Sequence, residues 1–354
     1  MPGLSCCIIV KDEAHNLPPL LESLAGLCDQ IVVVDTGSSD GTPEMALRMG
    51  ADVLSFPWTD SFSDARNESL RHARHPWLMY LDADDRLPEA SIAAISKLKQ
   101  NQPTLAHAFT IKSTLDGVSG MACVQIRMFP NIKGLRFRYR VHEQIRPSLM
   151  ENHLPILPAN VEIIHTGYVD RAAVAGKQRR NLNLLQRDLV LFPGDPFLHY
   201  LAGMAWLDLG EAIGARESFL NSWEFAFDRS DLKHIALGSA LELADLAFED
   251  KDTGVASEWL RKAETIDKEY PRCLYLRGRI CLETGDEERG LDCLTMLLDC
   301  HNPDLLLPLD LNMLKARSAA LAGQAYIKSG RPHEAVSVLS KAEELIARHP
   351  SRKI

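Results

Sequence analysis

The stretch Trp77-Leu78-Met79-Tyr80-Leu81-Asp82-Ala83-Asp84-Asp85 constrains the fold of this chain more than any other. Apolar and aromatic residues in succession read as a strand buried on both faces, the habit of parallel sheets. They stop abruptly at Asp82, Asp84 and Asp85. Side chains alternate along an extended strand, so Asp82 and Asp84 are expected to share a face and the small Ala83 to take the other. Two hard oxygen ligands at the carboxyl end of a sheet strand suit Mg²⁺ or Mn²⁺ carrying phosphate. The plain alternative is a strand followed by an Asp-rich helix cap.

The flanking sequence alternates strand and helix signals. Hydrophobic periodicity predicts strands over 5–10, 30–34, 52–56 and 77–81, and helices over 13–27, 43–49, 63–72 and 90–99. Such alternation implies βαβ units and a largely parallel sheet. Strand-like segments then follow one another at 106–112 and 123–129, joined by a turn at Asp116-Gly117, with short strands expected at 141–145 and 161–165. The expectation is an α/β domain over 1–168, a helical connector over 169–194 and an all-α domain over 195–354.

In the last part the strand signal vanishes and a small-residue pattern recurs. Gly203, Trp206, Gly210, Ala215 and Phe219 form one instance. Gly278, Cys281, Gly285, Gly290 and Leu294 form another, and Gly323, Tyr326, Gly330, Ala335 and Leu339 a third. A weaker copy, Ala244, Ala247, Lys251, Ala256 and Leu260, lacks the turn glycine. The pattern predicts four helical hairpins, in which small residues allow close approach and large ones fill the gap. The connector carries a basic helix with Lys177, Arg179, Arg180 and Arg187.

Charge and composition narrow the function. A net charge of −9 argues against binding nucleic acid through bulk charge. No apolar run approaches the roughly 20 residues that span a bilayer. The first residues lack the basic segment of a signal peptide. A cytoplasmic location is expected, with the eight cysteines mostly reduced core thiols.

A second chemical signal is Asp35-Thr36-Gly37-Ser38-Ser39-Asp40-Gly41-Thr42, directly after an all-apolar strand. It puts glycine and small hydroxyls where open α/β folds bind ligands. Asp35 can accept from a base N–H or a ribose hydroxyl, while Asp40 and Thr42 suit helix capping.

With Cys7-Ile8-Ile9-Val10-Lys11-Asp12-Glu13, Ala65-Arg66-Asn67 and Leu81-Asp82-Ala83-Asp84-Asp85, the chain resembles a family-2 glycosyltransferase of the GT-A type over about residues 4–168. It is most similar to the branch with tetratricopeptide-like repeats, which includes bacteriocin peptide glycosyltransferases. Arg127-Met128-Phe129, Val141-His142-Glu143-Gln144 and Ile164-His165-Thr166-Gly167-Tyr168 support that branch. The resemblance implies a Rossmann-like mixed sheet and transfer of a hexosyl or N-acetylhexosaminyl group from a nucleotide sugar, commonly a UDP-sugar. It implies a donor nucleotide against Val10, Lys11, Glu13, Asp35, Gly37, Arg66, Asp82 and Ala83. Mn²⁺ or Mg²⁺ would lie at Asp82, Asp84 and His165, with Asp82 facing the ribose or a metal-bound water. Lewis-acid assistance would then neutralise the departing diphosphate. Arg66 could instead be a surface helix residue pairing with Glu68 or Asp64.

An inverting transferase needs a base for the acceptor hydroxyl or thiol. Glu143 is the first candidate and His142 the competitor, since imidazole titrates near neutrality. The helical repeats are expected to hold a protein or peptide acceptor or to mediate dimerisation. A glycan or lipid-linked acceptor, an adaptor with an idle front domain, and a nucleotidyltransferase are the alternatives. The last lacks its Gly-rich basic phosphate loop here, since residues 8–13 hold no glycine and one lysine. Asp12 stands where relatives usually show Asn, Asp85 where they often show Glu, and Pro130 where a basic residue is common.

Overall fold

The computed structural model describes residues 2–115, 118–167, 174–300 and 307–347. Two compact units emerge, one of residues 1–117 and 122–169 and one that takes in 170–354. The first is built on strands β1 (Leu4–Val10), β2 (Gln30–Asp35), β3 (Asp52–Ser55), β4 (Trp77–Asp82), β5 (Asp85–Arg86), β6 (Ala106–Leu115), β7 (Val118–Pro130) and β8 (Ile156–His165). They form one sheet in the order β3-β2-β1-β4-β7-β6-β8-β5. The first four in that order are parallel; β7 joins β4 antiparallel. Register sets Val10 opposite Asp35 and Ile9 opposite Asp82, so three strands deliver their carboxyl ends to one edge.

Helices α1 (Leu17–Leu24), α2 (Thr42–Arg48), α3 (Phe62–His72), α4 (Glu89–Leu98) and α5 (Arg146–Glu151) complete the unit. Alternation on β1 and β4 sorts the core. Leu4, Cys6, Ile8, Trp77, Met79 and Leu81 pack with α1 leucines and Ile95 of α4. Cys7, Leu78 and Tyr80 turn to the opposite face, toward Phe129, Phe137 and Leu149. Asp82, two residues beyond Tyr80, leaves the strand on that second face. Ser61 starts α3 by accepting from the Asp64 N–H at 3.2 Å, a local cap that aims Arg66 at the same face.

The structure departs from the sequence reading in places. The first helix is shorter than 13–27, because Pro18 and Pro19 favour its first turn and residues 13–16 form a separate turn. Residues 141–145 are not a strand. Tyr139 and His142 adopt left-handed backbone conformations there, at φ 73° and 55°. Arg138 and Gln144 exchange both backbone hydrogen bonds at 2.9 Å, closing a loop that α5 follows. The turn expected at Asp116-Gly117 and the domain end expected at Tyr168 lie outside the described residues.

The second unit contains α6 (Val174–Leu191), α7 (Pro196–Asp208), α8 (Ala212–Ala226), α9 (Lys233–Glu249), α10 (Thr253–Asp267), α11 (Pro271–Glu283), α12 (Glu287–Leu298), α13 (Leu311–Lys328) and α14 (Pro332–Ala347). The last eight pair into four hairpins. A methyl at Gly203 would meet Phe219 at 2.5 Å, and methyls at Gly278 and Gly323 would meet Leu294 and Leu339 at 2.6 Å. The small-to-large spacing of the repeat is therefore interhelix packing. The turn glycines Gly210, Gly285 and Gly330 all have positive φ, and Lys251 holds the corresponding place in the second hairpin at φ 64°. Among the described residues no helix is long and apolar enough to cross a membrane.

Candidate active site

Two loops meet at the carboxyl edge of β1 and β2. The Asp12 N–H donates to Ser38 Oγ at 2.8 Å, the Glu13 N–H to Thr42 Oγ1 at 2.9 Å, and the Ala14 N–H to Asp40 Oδ2 at 3.0 Å. Asp12 has φ 56°, a conformation that Asn and Asp tolerate better than most residues, and its carboxylate accepts from the Ser39 N–H. The hydroxyls of Ser38 and Thr42 thus tie the second loop to the first. Asp35 is buried and accepts from the N–H groups of Gly37 and Ser38 at 3.1 Å, so it also holds its own turn. Lys11 is exposed beside this edge.

At β4 the chain builds a network of buried charge. Arg66 of α3 is buried, which removes the surface-helix alternative; Glu68 pairs with Arg71 and His72 instead. The Arg66 guanidinium donates to Asp82 through Nη2 and to Glu143 Oε1 through Nε at 2.7 Å. Arg127 of β7 takes the other Asp82 oxygen at 3.2 Å and approaches Asp85 at 3.5 Å. Both guanidiniums lie over the Tyr80 ring, their carbons 4.7 and 4.6 Å from its centroid. Burial penalises the Asp82 carboxylate, but the charges of Arg66 and Arg127 outweigh this and hold it well below the usual carboxylate range.

The chain turns at Ala83-Asp84, so strand alternation does not extend past Asp82. Asp85 begins β5 and faces His165 across the antiparallel pairing with β8. Fully buried, Asp85 accepts from the Asp82 N–H at 2.9 Å and bonds His165 Nδ1 at 3.0 Å. Asp84 Oδ1 lies 3.3 Å from the same ring nitrogen. Burial raises Asp84 above the ordinary range, with Asp82 and Asp85 adding to it and His165 opposing. The hydrogen bond to Asp85 raises His165. Ligand atoms of Asp82, Asp85 and His165 lie within 4.8 Å of one another.

A continuous path therefore runs from Glu143 through Arg66, Asp82, Arg127 and Asp85 to His165, with Asp84 beside its end. Two nitrogens within it, Arg66 Nη1 and Arg127 Nε, are buried with no hydrogen-bond partner among the described residues. His142 is exposed on the loop that presents Glu143. Sequence reasoning missed Arg127 and Asp85 as site residues. The available signal was a cation at Arg127 and an anion at Asp85 in otherwise apolar or strand-like surroundings.

The first unit is an α/β domain on one mixed sheet, and helical hairpins follow it in the sequence. Residues 5–143 match glycosyl transferase family 2, and residues 316–349 match the tetratricopeptide repeat. A TPR repeat-containing protein of Synechococcus elongatus is 36% identical over 208 residues, 56% of this chain and 51% of that protein. The chain thus spans about half of that relative's length. The SPbeta prophage-derived glycosyltransferase SunS of Bacillus subtilis is 26% identical over 309 residues, 84% of this chain and 71% of that protein. Glucosyl-3-phosphoglycerate synthase from Mycobacterium tuberculosis overlaps 52% of this chain and 80% of its own at 15% identity and TM-score 0.37, a likeness too low to carry an assignment.

Proposed function

We propose that the chain is a divalent-metal-dependent, inverting glycosyltransferase that uses a nucleotide sugar, with UDP-sugars the first class to test. The observation that carries this reading is the path of buried charge joining Glu143 to the Asp84–His165 corner at the sheet edge where the Asp35 loop also ends. Its two orphaned buried guanidinium nitrogens support an anionic ligand, since buried donors are ordinarily satisfied. Asp35, Gly37, Val10, Lys11 and Glu13 would line the nucleoside side, with Arg66, Asp82 and Ala83 toward the diphosphate.

The residues fit a divalent cation. Asp84 Oδ2 and His165 Nε2 flank a space beside Gly167, which a methyl group there would enter at 2.9 and 3.0 Å from them. Carboxylate oxygen suits Mn²⁺ and Mg²⁺, and an added imidazole nitrogen favours a first-row transition-metal dication such as Mn²⁺ over Mg²⁺. Asp84 and His165 would hold the ion, and Asp82, with an oxygen on each arginine, would face the ribose or a metal-bound water. When bound, the cation supplies charge neutralisation for the departing diphosphate. Glu143, oriented by Arg66, would take the acceptor proton as the acceptor atom attacks the anomeric carbon. His142 is the weaker candidate because it is exposed on the loop, whereas Glu143 is bonded to the buried Arg66.

The helical hairpins support a protein or peptide acceptor, because stacked helical repeats present extended surfaces suited to such chains. A cytoplasmic setting belongs to the same proposal. All eight cysteines are unbridged, and burial pushes the Cys7 thiol up to about 12. A thermal-shift screen of UDP-, GDP- and TDP-sugars with and without Mn²⁺ tests the reading. A metal-dependent rise with one donor, abolished in Asp84→Ala, is expected. No rise with any donor, or an unchanged rise in Asp84→Ala, counts against it.

A further inference from the structure

The least expected residue at the site is Asp85, a carboxylate with no solvent exposure. Its oxygens are already engaged by the Asp82 N–H at 2.9 Å, by His165 Nδ1 at 3.0 Å and by Arg127 at 3.5 Å. A group so occupied is suited to orienting its neighbours. The two-residue strand β5 pairs Asp85 directly opposite His165, so backbone register sets the contact. A carboxylate at Nδ1 selects the ring form that donates from Nδ1 and turns Nε2 to the opposite side. On that side lies Gly167, whose position would bring a methyl 3.0 Å from Nε2 and 2.9 Å from Asp84 Oδ2.

The segment at Gly167 is also held in place. Thr166 donates to the Asp84 carbonyl through both its N–H at 3.0 Å and its hydroxyl at 2.8 Å. A methyl at residue 167 would therefore press on the flanking ligand atoms, because the preceding residue is fastened to the Asp84 turn.

We propose that Asp85 and Gly167 are a positioning pair for the cation site. Asp85 fixes the orientation of His165, and Gly167 keeps open the space between His165 Nε2 and Asp84 Oδ2. This rests on the metal reading above and assigns roles that the ligand set alone does not. Neither residue contacts the sugar or the acceptor in this assignment.

The test is Mn²⁺ titration of the full chain followed by electron paramagnetic resonance, without donor or acceptor. Gly167→Ala should weaken Mn²⁺ binding about 10- to 100-fold, the usual effect of disturbing the support of a metal ligand, with an unchanged melting temperature. Spin-echo modulation from one coordinated imidazole nitrogen should be present in wild type and absent in His165→Ala. It should be lost in Asp85→Ala and retained in Asp85→Asn, which keeps an acceptor for Nδ1–H. Should Asp85→Ala not fold, Gly167→Ala and Asp85→Asn still decide. Wild type that takes up no Mn²⁺ overturns the metal reading and this inference together. Wild type that binds Mn²⁺ while Gly167→Ala binds equally well overturns this inference alone.

Discussion

Both units contain an arginine–carboxylate network, and the two are built differently. In the second unit Arg272 joins Glu242 and Asp245 at 2.6 and 2.9 Å, and Arg279 joins Asp245 and Glu249 at 2.9 and 2.6 Å. The carboxylates lie on one stripe of α9 and the arginines on one stripe of α11, a ladder between two helices. Neither arginine has a buried nitrogen without a partner among the described residues. In the first unit Arg66 and Arg127 come from a helix and a strand, their partners from three further segments, and each arginine keeps one buried orphan nitrogen. A satisfied ladder holds helices together. A network that buries donors without partners carries a cost that stability alone does not explain, and such a cost points to a ligand.

The contrast can be broken at its strongest point first. Glu143→Gln keeps an acceptor for Arg66 and removes the proposed base. With the donor that the thermal-shift screen selects, turnover should fall about 10²- to 10⁴-fold while donor affinity and melting temperature hold. Turnover near wild type would pass the role to His142. Asp82→Ala should act on both function and fold. It strips a shared anion from two buried guanidiniums, a change that costs about 3–5 kcal/mol when a buried pair is broken, and denaturant unfolding measures it. Asp82 is held below its ordinary range, so its contribution is present above the usual carboxylate pKa of about 3.9 and is lost as pH falls through the folded value. The gap between wild type and Asp82→Ala should therefore narrow in acid. Glu242→Ala is the matched change in the ladder. Arg272 keeps Asp245, so the loss should be about 1.5–3 kcal/mol, with the metal-dependent donor shift intact. A lost donor shift in Glu242→Ala would erase the distinction between the networks.

The same contrast explains what could be read in advance. Repeat packing joins residues at fixed offsets, so Gly203 against Phe219 and Gly323 against Leu339 leave a periodic trace in the chain. Parallel strands leave apolar runs, and the edge bearing Asp35 and Asp82 followed from their ends. The buried network leaves no such trace. Arg66 meets Asp82 from 16 residues away and Glu143 from 77. Arg127 stood out as part of a family motif and Asp85 as a departure from one, but no spacing rule joins them. Strand alternation also failed for Asp84, because the chain leaves the sheet one residue earlier. The loop around Tyr139 and His142 read as a strand because its apolar residues are buried by irregular backbone, which periodicity cannot distinguish from a short strand.

The smallest test lies at the one hairpin turn that departs from its siblings. Gly210, Gly285 and Gly330 take the left-handed conformation without a Cβ, whereas Lys251 takes it at φ 64° with one. A side chain there carries a local penalty of roughly 1–2 kcal/mol. Replacing it with glycine removes that penalty and adds unfolded-chain entropy worth about 0.4–1 kcal/mol in the opposite direction. Lys251 also places its ammonium 6.0 Å from the Phe248 ring, at the outer limit of a useful contact. The terms leave a net gain below about 1 kcal/mol for Lys251→Gly, seen as a small rise in melting temperature. The donor shift should not move, since the turn belongs to the helical-repeat unit and takes no part in the first unit's charge network. A fall in melting temperature would mean that the Lys251 side chain supports the second hairpin by more than the strain of its backbone.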